Sequence, residues 1–349
     1  MLGAREAALA PPRALGLPLE PARLRATAED FVVEEDLGFA PSGSGQHLLL
    51  RVRKREANTA WVARALARLA GCRESEVGYA GLKDRRALAL QWFSVPRSAA
   101  VADWSVVRGE GFEVLEAHPH ARKLPRGALA GNRFAVRARA GAGEGAALAA
   151  RLAPRLAQLT ARGVPNYFGP QRFGRDGANL ARLPAAVGDP RREQRGFVLS
   201  AARSALFNAV LAARVADGSW EGLLPGDLAV LDGRGSIFAV PVPEAQLAAR
   251  CGRLEIHPTG PMWGAGEPAT QWQVRELETA VAGHLQEQAA LCAAAGMRQE
   301  RRSLRLSVHD LGCEAEADAV WLRFRLGRGC FATAVLRELF AQATAGGLE

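Results

Sequence analysis

Lysine is almost missing from this chain. Of 45 basic residues only Lys54, Lys83 and Lys123 are lysine, so arginine carries nearly all the positive charge. A GC-rich coding bias accounts for arginine over lysine in an Ala- and Gly-rich chain. It does not account for cations exceeding the 36 acids, which leaves a formal charge of +9 and a pI of about 10.1. That balance points to a polyanionic partner, nucleic acid first. Cysteine is scarce as well: Cys72, Cys251, Cys292, Cys313 and Cys330 are scattered, odd in number and free of any CxxC. This argues against a disulfide framework and fits reduced thiols. The six histidines lack metal-ligand spacing, since His118 and His120 merely flank a proline, and no metal is expected. No apolar run approaches the ~18 residues of a membrane span. The first residues place Arg5 and Glu6 where a signal peptide needs an apolar core. A cytoplasmic protein with no membrane partner is therefore expected. A Walker-type glycine loop is also lacking, which weakens a nucleotide-hydrolase reading.

At 349 residues the chain is long for a single core, and two domains are expected. The texture supports this. Residues 30–35, 47–53, 76–80, 89–95, 112–117 and 134–140 read as strands, with helices over 58–70 and 146–161. The first helix would be capped by Asn58 or Thr59 and ended by Gly71. The middle differs: a long helix near 200–215, a Gly- and Asp-rich β subdomain over 223–242, a Pro/Gly loop over 257–268 and a helix over 273–295. Strand texture returns at 303–308 and 320–326, followed by a helix over 331–340. One domain interrupted by another is the simplest organisation.

The chemistry concentrates in Gly81-Leu82-Lys83-Asp84-Arg85-Arg86-Ala87, which sets one carboxylate among three cations after a glycine turn. A carboxylate so placed is usable as a nucleophile or base while the cations hold a phosphate backbone. On this heptapeptide alone the plainer reading is stronger: Asp favours turns, and surface ion pairs are common and weak.

Three further motifs stand out. Phe168-Gly169-Pro170-Gln171-Arg172-Phe173-Gly174 combines aromatics, an amide and an Arg, but its Phe side chains are better explained as core than as base contacts. Gly131-Asn132 opens a strand, where Asn is either an Asx turn or a reader of a pyrimidine edge. Phe331, in Gly329-Cys330-Phe331-Ala332-Thr333, is either core or a ring over which a base stacks.

Taken in order, six segments resemble the TruD family of tRNA pseudouridine synthases along nearly the whole chain. They are Glu29–Phe39, Ala80–Asp84 with Gln91-Trp92, Gly127–Asn132, Val164–Gly174, Leu199–Asn208, and Gly329–Thr333 with Leu336–Leu339. The resemblance implies an α+β fold: a pseudouridine-synthase catalytic core on a mainly antiparallel sheet with flanking helices, interrupted by an inserted α/β domain. It divides the chain into a discontinuous catalytic domain, 1–162 with 306–349, and a TruD-specific insert, 163–305. It implies that Asp84 is the catalytic carboxylate and that Phe31, Asn132 and Phe331 line the uridine pocket. The substrate would be tRNA, at uridine 13, and the isomerisation needs no cofactor. Lys83, Arg85 and Arg172 are the candidates for RNA-backbone contact, with Lys83 expected at a phosphate rather than against Asp84. Cys330 departs from the Ser or Tyr more usual in the family. Arg25 stands where the family pattern has Lys and is left outside the expected site. A monomer is expected. The competing class is a non-catalytic RNA-binding protein, which would share the charge and the aromatics but would have no use for Asp84.

Overall fold

The computed structural model describes residues 1–18, 22–97, 100–182 and 192–341, with side chains from 195 in the last stretch. The chain separates into two compact units. One comprises the described parts of Ala22–Ala153 and His309–Gly329; the other comprises those of Met1–Pro21, Pro154–Val308 and Cys330–Gly346. This departs from the expected division at both ends. Helix Ala4–Leu9 packs on helix Arg192–Ala216, and helix Ala332–Leu339 packs on strand Val164–Pro165, so these two helices join the unit built from the middle of the chain.

The first unit is organised by one large sheet. Among the described residues its strand order is His309–Ala315, Ala319–Gly327, Gly131–Arg139, Phe31–Asp36, Leu88–Pro96, His47–Arg55, Phe112–His120 and Arg108–Gly109. These neighbours are antiparallel except for Phe31–Asp36 with Leu88–Pro96, which run parallel with Val32 beside Leu88. Of the expected strand 76–80 only Gly78–Tyr79 forms, against Ser94 and Phe93. Strand His309–Ala315 was not legible because its mix of charge, Gly and Cys suits an edge strand without an apolar stripe.

Helix Thr59–Ala70 covers one face of this sheet. Val62, Ala63 and Leu66 pack with Leu50, Val52, Phe93 and Val95, all fully buried. A fully buried Val, Leu or Phe contributes about 1.5–3 kcal/mol, so this contact secures the helix. Leu69 of the same helix is exposed. Gly71 ends the helix at φ 65°, where a side chain would be strained. The opposite sheet face is a ladder of charges: Arg51 pairs with both Glu34 and Glu116, Arg53 with Glu113, and Arg137 with Glu316 and Asp318.

The second unit is built around helix Arg192–Ala216, against which Ala7, Phe168, Trp220, Val281 and Leu291 pack. The 195–216 stretch is long and apolar enough to cross a membrane, but 67% of its most apolar window is buried in this core. The stretch expected as a Pro/Gly loop is instead strand Ile256–Met262, inside the order Ile237–Val240, Asp227–Leu231, Ile256–Met262, Glu300–Ser303. Its first half pairs with one neighbour and its second half with the other, which lets a strand carry Pro258 and Pro261. The expected helix over 273–295 breaks at Leu285 into Trp272–His284 and Gln286–Ala294.

Candidate active site

Strand alternation decides which side chains can meet. In Phe31–Asp36 the inward residues are Phe31, Val33 and Glu35; in His47–Arg55 the inward set includes Leu50, Val52 and Lys54; in Leu88–Pro96 it includes Ala89, Gln91 and Phe93. Each of these three adjacent strands thus has one polar residue on its apolar face. Glu35, Lys54 and Gln91 are 3%, 0% and 0% exposed. Burying such groups is costly unless each is paired. All three find their partners on the turn that contains Asp84.

Glu35 accepts from Lys83 Nζ at 2.6 Å and from the Trp92 N–H at 2.9 Å. Gln91 donates to the Gly81 carbonyl at 2.7 Å and accepts from Thr59 Oγ1 at 3.0 Å. Thr59 in turn accepts from the Lys83 N–H at 3.1 Å, so its hydroxyl serves the turn rather than capping its helix. Lys54 Nζ donates to the carbonyls of Ala57 at 2.8 Å, Asp84 at 3.0 Å and Lys83 at 3.5 Å. Burial pulls the Lys54 ammonium down to about 8, with the charge of Asp84 opposing and that of Lys83 adding to the effect. The backbone from Gly81 to Asp84 is therefore held at four points by groups from neighbouring elements.

The Asp84 carboxylate stands at the open side of this turn, about one-third exposed, and accepts from Arg25 Nη2 at 3.2 Å. The Arg25 guanidinium also lies 3.8 Å above the Phe31 ring. Arg25 has φ 55°, a left-handed backbone rare outside glycine and costing roughly 1–2 kcal/mol. Strain of this kind at a residue touching a carboxylate is a mark of a constrained site. Phe31 is buried beneath, against Phe134 at 6.0 Å between ring centroids. Asn132 faces Glu35 across the antiparallel pair, on the same side of the sheet, and its Oδ1 is buried without a hydrogen-bond partner. An acceptor buried and unsatisfied costs about 1–3 kcal/mol and is suited to receive a ligand N–H.

The structure thus brings Asp84, Phe31 and Asn132 to one face of one sheet. Lys83 does not take the expected phosphate-facing position. Its ammonium is buried with Glu35, and the reason is parity: Glu35 points inward and needs a cation. Arg85 is exposed and lines an open concavity of about 650 Å³ with Arg55, Trp61 and Arg64. Arg25, outside the expected site, pairs with Asp84.

Phe331 and Arg172 belong to the other unit and are described within it. Phe331 is the extended residue preceding helix Ala332–Leu339, half-buried, with its ring 6.1 Å from that of Phe168. Arg302 lies 4.2 Å from the Phe168 ring and donates to Asn166 Oδ1 at 2.5 Å; burial pulls its guanidinium down to about 10, and it stays cationic at neutral pH. Phe168 and Phe173 are core residues, 3% and 0% exposed. Arg172 is exposed and donates to Ser200 Oγ at 2.9 Å. Among the described residues no group of three or more His, Cys, Asp or Glu side chains is placed to hold a metal.

A strained arginine, a partly exposed carboxylate and an aromatic floor lie together on the mixed sheet of an α+β protein. Comparison with known proteins specifies the family. The model of tRNA pseudouridine synthase D (TruD) matches residues 20–187 and 184–339. A Xanthomonas axonopodis pv. citri protein of that name is 45% identical over 96% of this chain and 95% of its own length. A Methylococcus capsulatus protein of the same name is 44% identical over 94% and 93%. In fold, the chain matches a crystal structure from Methanosarcina mazei assigned to tRNA pseudouridine synthase D, with a TM-score of 0.71 over 94% of this chain and 95% of that one, at 20% identity. The chain belongs to the TruD family of tRNA pseudouridine synthases.

Proposed function

We propose that this chain isomerises uridine to pseudouridine in tRNA, at position 13, with Asp84 as the catalytic carboxylate. The reaction detaches uracil from C1′ of the ribose, turns the base and rejoins it through C5. The C5 proton is lost and N1 gains one, so nothing is added overall and no cofactor is consumed. The observation that carries the reading is the Asp84 turn. Its backbone is held by Lys54, Thr59 and Gln91, its neighbour Lys83 by Glu35, and its carboxylate is oriented by Arg25. A surface ion pair needs no such scaffold; a carboxylate that must meet a sugar carbon within a few tenths of an ångström does.

Asp84 would attack C1′, attack the base or remove the 2′ proton. Phe331 would stack the extruded uracil, and Asn132 Oδ1 would accept from its edge or from the nearby backbone. Extruding the base costs a few kcal/mol, which stacking and edge contacts offset. Arg85 and Arg172 would contact the RNA backbone; Lys83 is withdrawn from that role. The middle of the chain, 163–305, would serve as the family-specific domain that grips the tRNA. The protein would act as a cytoplasmic monomer without metal.

The test is to incubate the protein with a tRNA transcript and map pseudouridine by chemical labelling. A single new pseudouridine at position 13 is expected. Asp84→Asn should abolish it while tRNA affinity stays within about threefold. Turnover by that variant would overturn the assignment of Asp84. Tight binding without any conversion by the unaltered protein would favour the non-catalytic RNA-binding class.

A further inference from the structure

Lys54 is an expensive residue. It lies one position from the end of strand His47–Arg55, is 0% exposed, and its three N–H donors go to main-chain carbonyls, at Ala57, Lys83 and Asp84. Among the described residues no carboxylate is in hydrogen-bond contact with it. A methionine there would pack beside Ala89 and Phe112, its register neighbours, without any cost of desolvating a charge. Two of the three carbonyls belong to the Asp84 turn. The negative charge acting on it is that of Asp84, the same residue whose carbonyl Lys54 holds.

We propose that Lys54 is a positioning residue for the isomerisation: its buried ammonium clamps the carbonyls of Lys83 and Asp84 and so sets the direction in which the Asp84 carboxylate leaves the turn. The proposal rests on Asp84 being the catalytic carboxylate. It assigns to Lys54 no contact with RNA, which distinguishes it from the exposed cations Arg85 and Arg172. A neutral amine has two donors in place of three and no charge, so the clamp slackens when Lys54 loses its proton. The charged groups acting on Lys54 are Asp84 and Lys83 of the turn. Arg25 and Glu35 pair with those two one contact further out. The strands on either side face it with Ala89 and Phe112, and helix Thr59–Ala70 turns Val62, Ala63 and Leu66 to the same core. Glu56 and Arg85 lie exposed at the mouth of the turn.

The experiment measures single-turnover pseudouridine formation on full-length tRNA transcript from pH 6.5 to 9.5, beside tRNA affinity. It compares the unaltered protein with Lys54→Met, Lys54→Arg and Asp84→Asn. In the unaltered protein the rate should fall as pH rises through about 8. Lys54→Met should bind tRNA within threefold of normal, lose at least thirtyfold in rate and lack that alkaline limb. Lys54→Arg keeps a cation that does not titrate in this range, so it should recover at least a third of the lost logarithm of rate, again without the limb. A Lys54→Met rate within threefold of normal overturns the proposal. So does a limb at about 8 that persists in Lys54→Arg, which holds the test open should the Met variant fail to fold. Inactive Asp84→Asn beside a fully active Lys54→Met would refute the role of Lys54 alone. Active Asp84→Asn would instead refute the reading of Asp84 on which it rests.

Discussion

Phe331 closes the approach to its helix in an extended conformation, so its ring is presented by the backbone rather than by helix packing. Phe168 and Arg302 support that ring from within the same unit. One lost base stack is worth ~1–3 kcal/mol, and Phe331→Ala should therefore lower the single-turnover rate at least about tenfold. Unchanged kinetics would make Phe331 a packing residue only. Asp30, directly before Phe31, illustrates the opposite kind of acid. It is 1% exposed and accepts from Arg139 Nη2 at 2.8 Å and Nε at 2.9 Å. Burial acts to raise its pKa, but Arg139 and the Thr27 N–H outweigh that and hold it below the usual carboxylate range. A folded pKa below the unfolded one contributes stability that is present above about pH 4 and is lost as pH falls through the folded value. Arg139→Ala removes the bidentate partner of that charge and should destabilise the protein at neutral pH. Urea melts check this, and the gap between variant and parent should narrow below about pH 4. No measurable cost would show the pair to be solvent-screened.

At the scale of elements, the site depends on how closely two strands approach. A Cβ on Gly131 would lie 2.3 Å from the Leu326 carbonyl oxygen, backbone against backbone. Gly131 and its neighbour Asn132 open strand Gly131–Arg139, so any shift there moves the Asn132 amide relative to Glu35. Gly131→Ala should destabilise the protein by about 1–3 kcal/mol, as overpacking does. It should also raise the KM for tRNA more than Gly312→Ala, whose added Cβ meets nothing within 4 Å and whose backbone is not left-handed. Equal effects of the two would argue that Asn132 does not read the substrate. The sheet order was only partly legible. Strands over 30–35, 47–53 and 89–95 could be read from the chain. The parallel pairing of the first with the third, which puts Glu35 beside the Asp84 turn, could not, because pairing is a long-range choice among strands of similar pattern. Even so, one local signal was available: Lys54, Glu35 and Gln91 each break the apolar parity of a strand. Arg25 carried no such signal, since its left-handed backbone is a tertiary outcome.

For the molecule as a whole, the net charge of +9 remains the main argument for a polyanion. Much of the arginine is nonetheless spent internally, on the outer sheet face and in pairs such as Arg214 with Asp227 and Arg301 with Glu278. Binding should therefore be electrostatic but carried by a minority of the cations. The tRNA affinity is expected to fall at least about tenfold between about 50 and 200 mM salt, measured by filter binding or fluorescence. A flat salt dependence would remove the phosphate backbone as the main contact.

Amino-acid order alone determined the family, the catalytic candidate and the class of partner, because six short segments in sequence and a net charge are one-dimensional properties. It determined most strands and helices near the site for the same reason, their periods being local. Tertiary structure decided which cation meets Asp84. Parity sends Lys83 inward to Glu35, an improbable backbone aims Arg25 at the carboxylate, and strand pairing brings Lys54 under the turn. Each of these results from burial: a charge removed from water must find a partner within a few ångströms, and only the folded chain shows which one is within reach.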